Sequence, residues 1–201
     1  MYRRIYISSD YSEASGDRII VEQLISWRDN KHLLIDFVDM AQVISGSIAN
    51  TDNCRPCDLQ NEFNQQINLS STIIFIVGDK TKYRTAGSNC NLIQSEGEKC
   101  TCTPYKQNSK GTKICKYPYI VPSIENVGCI NSYSYLEHEF RQAQKKDKHI
   151  VIIFNSLRRE ISWLPAYMNG YEENAQPFWK INQNGYKVGN YEYIKKELEN
   201  A

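Results

Sequence analysis

The chain has 201 residues, enough to bury a core without disulfide or metal support and short enough for one domain with an elaboration. Its 24 Lys and Arg against 23 Asp and Glu leave a formal net charge of +1, which excludes the strongly basic field of a general nucleic-acid binder. Ser8, Ser9 and Asp10 interrupt the N-terminus too early for a signal-peptide core, and no apolar run reaches the roughly 18 residues that span a bilayer, so a cytoplasmic chain without a membrane partner is expected.

Taken in chain order, Arg3–Ser8 reads as a first strand, rich in β-branched and aromatic residues. A Ser-Ser-Asp-Tyr loop follows. Residues 14–29 carry Ile20, Leu24 and Trp27 at helical spacing, one apolar stripe for a sheet. Residues 32–38, HLLIDFV, form a second strand whose continuous apolar run predicts burial in a parallel sheet. After a loop containing Gly46, Pro56 opens a helix that runs to Leu69, with Leu59, Phe63 and Ile67 four apart. Thr72–Val77, TIIFIV, is the strongest strand signal. A helix over 134–146 turns Leu136 and Phe140 to the core, and His149–Phe154 is a further buried strand. Residues 191–200 predict a closing helix, with edge strand or irregular packing as the alternative. This order predicts a doubly wound, flavodoxin-like α/β fold over residues 1–201 as a single domain.

Residues 80–133 break the pattern, because some fifty residues exceed an ordinary crossover loop. They hold five of the seven cysteines, and residues 80–116 hold seven lysines and one arginine against two glutamates. The stretch is read either as a solvated excursion or as a lid that brings cations to phosphates. An odd cysteine count without a secretion signal argues against a disulfide framework. Cys54 and Cys57, spaced C-x-x-C before a helix, fit a thiol redox pair less well than a structural zinc shared with Cys100, Cys102 or Cys115; the alternative is a set of reduced thiols.

The pieces RIYISSDY, TIIFIVGDKT and YLEHEFRQAQKKDKHIVIIF, in that order, resemble the TIR-like family of bacteria and archaea, whose members include the TIR proteins of the Thoeris antiphage system. Val77-Gly78-Asp79-Lys80-Thr81 stands where the family has I-G-x-x-T, and Tyr135 to Phe140 where it has W-x-x-x-E-I. The resemblance implies a TIR-like sheet and cleavage of NAD+ at the nicotinamide glycosidic bond, with Glu139 as the catalytic carboxylate. It further implies a homo-oligomer, a nucleotide product that acts on a separate effector protein, and activation by a phage component.

Ser8, Ser9, Asp10 and Tyr11 follow the first strand and are placed to hold ribose or phosphate, or to cap the next turn. Asp36 and Asp39 flank the end of the second strand as adenosine ligands or plain loop residues. Lys82 and Arg84 are candidates for the pyrophosphate, and Tyr135 borders the substrate in place of the family's tryptophan. His138 points about 100 degrees from Glu139 on a helix, which argues against a proton relay between them. Rival readings are a non-enzymatic interaction or scaffold domain and a nucleoside deoxyribosyltransferase-like enzyme that also uses a lone glutamate. A receiver-like phosphoacceptor fits less well, because no lysine follows Phe154.

Overall fold

A computed structural model describes residues 3–10, 13–30, 35–39, 55–84, 106–107, 113–114 and 134–199. β1 (Arg3–Ser8), α1 (Asp17–Asn30), β2 (Ile35–Asp39), α2 (Arg55–Leu69) and β3 (Thr72–Val77) come first. A two-residue pair, β4 (Lys106–Gln107) and β5 (Lys113–Ile114), precedes α3 (Tyr135–Lys145) and β6 (His149–Phe154). The chain continues through β7 (Gln176–Pro177), β8 (Trp179–Ile181) and β9 (Lys187–Gly189) into α4 (Tyr191–Glu199).

TIIFIV is buried at all six positions because β3 is covered on both faces and paired at both edges. The five main strands are parallel and run in the order β2-β1-β3-β6-β7, the strand order of a flavodoxin-like α/β sheet. Side chains alternate between faces along each strand. Ile74 and Ile76 join Ile5, Ile7, Leu24, Ile194 and Leu198 under α1 and α4. Ile73, Phe75 and Val77 join Tyr6, Phe63, Ile67, Phe140 and Ala143 under α2 and α3.

The first helix begins at Asp17 rather than near residue 14. Glu13–Ser15 form a separate 3-10 turn, and Gly16, with φ +71°, breaks the backbone between them. The second strand reaches Asp39, one residue beyond expectation, since Asp39 still pairs with Ile7. Between β6 and β7 the chain makes three 3-10 turns at Ile161–Trp163, Ala166–Met168 and Glu172–Asn174. β8 and β9 form an antiparallel hairpin, and α4 closes the chain as a helix. Gly189 is required there: a Cβ would come within 2.6 Å of the Trp27 ring. Within residues 80–133 lie a 3-10 turn at Thr81–Tyr83 and the antiparallel β4–β5 pair. Among the described residues, no helix is long and apolar enough to cross a membrane.

Phe75 is fully buried and meets the Phe140 ring edge-on at 5.3 Å. Replacing it with alanine should cost about 3–5 kcal/mol in urea unfolding, through lost transfer energy and an unfilled cavity. A loss under about 1 kcal/mol would place Phe75 outside the packed layer.

Candidate functional site

In the strand order found here, connections leave β1 and β3 toward opposite faces, and the carboxyl ends of those two strands flank the crevice where such sheets bind ligands. α3 brings a carboxylate to this edge. Its start is fixed by Ser134, whose Oγ accepts from the Glu137 N–H at 3.0 Å. From that start, the 3.6-residue repeat turns Leu136, Glu139, Phe140 and Ala143 inward. Glu137 is left outward, where it accepts from Arg141 Nε at 2.8 Å and Nη2 at 2.6 Å.

Glu139 is 1% exposed, and neither of its oxygens closes a hydrogen bond of full geometry. Two hydroxyls of β1 are nevertheless close enough to favour its charged form. Ser8 and Tyr6, two residues apart and so on one face of the strand, both oppose the effect of burial. Burial prevails and pushes the carboxyl up to about 7. A third hydroxyl, Tyr167, approaches Ser134 and feels the charges of Glu137 and Glu139; burial is the main cause that pushes this phenol up. His138 turns away, with Nε2 3.0 Å from Asn64 Oδ1 on α2.

Under the opposite face lies a second buried carboxyl, Asp17, at the first turn of α1. Asn155, directly after β6, donates to Asp17 Oδ1 at 2.9 Å and accepts from Trp179 Nε1 at 2.9 Å. Gly78 closes over this pair, since a Cβ there would stand 3.2 Å from Asp17 Oδ1. Its N–H donates to Thr81 Oγ1 at 2.8 Å, which holds the turn after β3. Burial pushes Asp17 up to about 7, against the Asn155 hydrogen bond and with the Asp10 charge.

The structure brings Ser8, Ser9 and Asp10 together at the end of β1, all buried, with Ser8 facing Glu139. Arg84 Nε pairs with Asp10 Oδ2 at 2.5 Å, so Arg84 reaches this edge from the turn after β3. Lys82 is instead exposed and donates to the Ser162 carbonyl at 2.8 Å. Asp36 lies on β2 three residues before its end, exposed and in register with Arg4. Asp39 holds the strand end itself, in an ion pair with Arg18 at 2.7 Å. Tyr135 is half-buried and packs edge-on against Phe63 at 5.2 Å. Tyr11 lies outside the described residues, as do Cys54, Cys100, Cys102, Cys115 and the side chain of Cys57. Among the described residues, no three His, Cys, Asp or Glu side chains gather as metal ligands.

Asp17, Asn155 and Tyr167 are site neighbours that the sequence reading missed. An acidic residue after glycine at the head of an amphipathic run is a helix-start signal, and it could have singled out Asp17. Asn155 and Tyr167 carry no comparable local pattern. Two cavities, of about 190 and 900 Å³, open elsewhere, and Glu139 lines neither. The buried carboxyls and hydroxyls mark the candidate site. No family model matches the chain, and no curated protein matches it.

A buried carboxyl raised from 4.5 to about 7 contributes its full stability below pH 4.5, and that contribution is lost as pH rises through 7. Asp17, raised from 3.8 to about 7, acts in the same direction. Each carboxyl should cost on the order of 3 kcal/mol across this interval. Urea unfolding at pH 5 and pH 8 should show wild type losing stability and Glu139→Gln losing distinctly less. Equal losses would place the Glu139 carboxyl in water.

Proposed function

We propose that this chain is a TIR-like enzyme that cleaves NAD+ at the nicotinamide glycosidic bond. The observation that carries the reading is Glu139, a buried carboxyl of α3 that faces the Ser8 hydroxyl of β1 near the carboxyl edge of a parallel sheet. The resemblance through Ser8, the Gly78-to-Thr81 turn and the Tyr135-to-Phe140 helix supports it. Under this reading the fold is TIR-like in the finer sense as well.

Nicotinamide ribose is cationic, so its arrival beside a buried carboxyl favours the charged form and draws the proton off Glu139. The carboxylate then faces the anomeric carbon. As the glycosidic C–N bond breaks, its electron pair passes to the nicotinamide ring nitrogen and neutralises the pyridinium. Positive charge develops on the ribose oxocarbenium, where a fixed, water-excluded carboxylate is most effective. Water adds to the anomeric carbon and releases a proton, or the adenine of the same molecule adds and yields a cyclic product. Ser8, Ser9 and Asp10 hold the ribose and its hydroxyls. Arg84 exchanges Asp10 for the pyrophosphate, and Lys82 screens that charge from the exposed side.

The family resemblance supplies the setting: an assembled homo-oligomer in antiphage defence, activated by a phage component, whose ADP-ribose-derived product acts on a separate effector protein.

Purified protein, alone and with lysate of phage-infected cells, should release nicotinamide from NAD+, and Glu139→Gln should lower kcat by roughly 100-fold or more. The wild-type kcat/KM should rise with pH and level off above about 7, the range of the free carboxyl. Equal rates in both proteins would remove Glu139 from this role. Absence of turnover in the assembled protein would leave the interaction-domain reading in first place.

A further inference from the structure

On the side of the sheet away from Glu139, a cavity of about 190 Å³ lies between α1, β2 and α4. Trp27, Phe37, Tyr191, Ile194 and Leu198 form its walls, and its lining is almost wholly apolar. The walls are fixed. Phe37, Ile194 and Leu198 are each less than 8% exposed. The Trp27 ring meets Tyr191 edge-on at 5.3 Å and packs on Phe178 at 5.5 Å, and Gly189 closes its remaining side. Protein interiors are packed to the density of organic crystals, so a preformed void leaves its wall atoms without contacts that a ligand would restore. For scale, an engineered apolar cavity of about 150 Å³ stays dry and takes up benzene.

Charge at the mouth narrows the ligand further. Arg3, Lys195 and Glu199 stand there, two cations against one anion. The Arg3 guanidinium donates to the Leu198 carbonyl and keeps other N–H groups for a second acceptor. Lys195 Nζ lies 3.8 Å from Glu199 Oε1, an exposed and weakly held pair. From the volume, the aromatic walls and the cationic rim we infer that this cavity binds a small aromatic carboxylate, with one ring or a fused pair inside and the carboxylate on Arg3 and Lys195. The site stands apart from Glu139 and does not rest on the NAD+ reading.

Calorimetric titration of the full chain with benzoate and indole-3-acetate, beside the neutral benzyl alcohol and indole, tests this directly. The carboxylates should bind with saturable heat. Lys195→Gln should weaken them roughly tenfold and leave the neutral compounds unchanged. Leu198→Trp, which fills the cavity, should abolish binding of all four, and Glu139→Gln should change nothing. If Leu198→Trp does not fold, the Lys195→Gln comparison decides alone. No saturable binding of either carboxylate, binding of neutral and anionic compounds with equal affinity, or binding that survives cavity filling would each overturn the inference.

Discussion

β3 is paired along both edges and covered on both faces, and the other strands of the main sheet take their positions from it. Its residues are buried, so its backbone groups need partners, and β6 pairs with all of Thr72–Val77 while β1 pairs with Thr72 to Phe75. The register that results sets Ser8 opposite Phe75 and Val77 opposite Phe154, so β3 and β6 end level and β1 ends two residues before them. Gly78 and Asn155 therefore stand level at the carboxyl edge of the sheet, which β1 approaches through Ser8. α1 and α3 approach that edge from opposite faces, and each contributes one buried carboxyl.

Those carboxyls are held in different ways. Asp17 has a matched neutral donor in Asn155, which is itself fixed by the Trp179 indole, so this cluster joins α1, β6 and the C-terminal hairpin. Among the described residues, Glu139 has the Ser8 and Tyr6 hydroxyls beside it. A carboxyl surrounded by hydroxyls and apolar walls is poorly compensated when charged, and it answers strongly to a cation brought beside it. The first arrangement suits a structural joint, and the second suits a group that answers to a positive charge brought beside it.

Much of this was legible in the chain because the strands are either buried outright or strictly alternating. TIIFIV and HIVIIF announce a parallel sheet, and Leu136, Phe140 and Ala143 orient α3 well enough to turn Glu139 inward and Glu137 outward. The register of Asp36 with Arg4 and of Asp39 with Ile7 could not be read from HLLIDFV, because it depends on β1, a partner distant in sequence. The Asn155 link was invisible for a similar reason: it depends on Trp179 and Asp17, which meet only after the sheet has formed. The residues between β6 and α4 lack any sustained period, so their short turns and hairpin follow from packing against strands already in place.

The pairing of β3 with β6 has a further consequence for the long connection between them. Chain-closure entropy grows only with the logarithm of loop length, about 0.6 kcal/mol for each doubling. The Cys- and Lys-rich residues 80–133 therefore burden the equilibrium of the sheet very little, whatever their length. Their effect falls on kinetics, because Thr72 must find His149 across that whole span before the central ladder can close. A change in the length of the connection would thus alter the speed of folding far more than the equilibrium of the edge that carries Ser8 and Glu139.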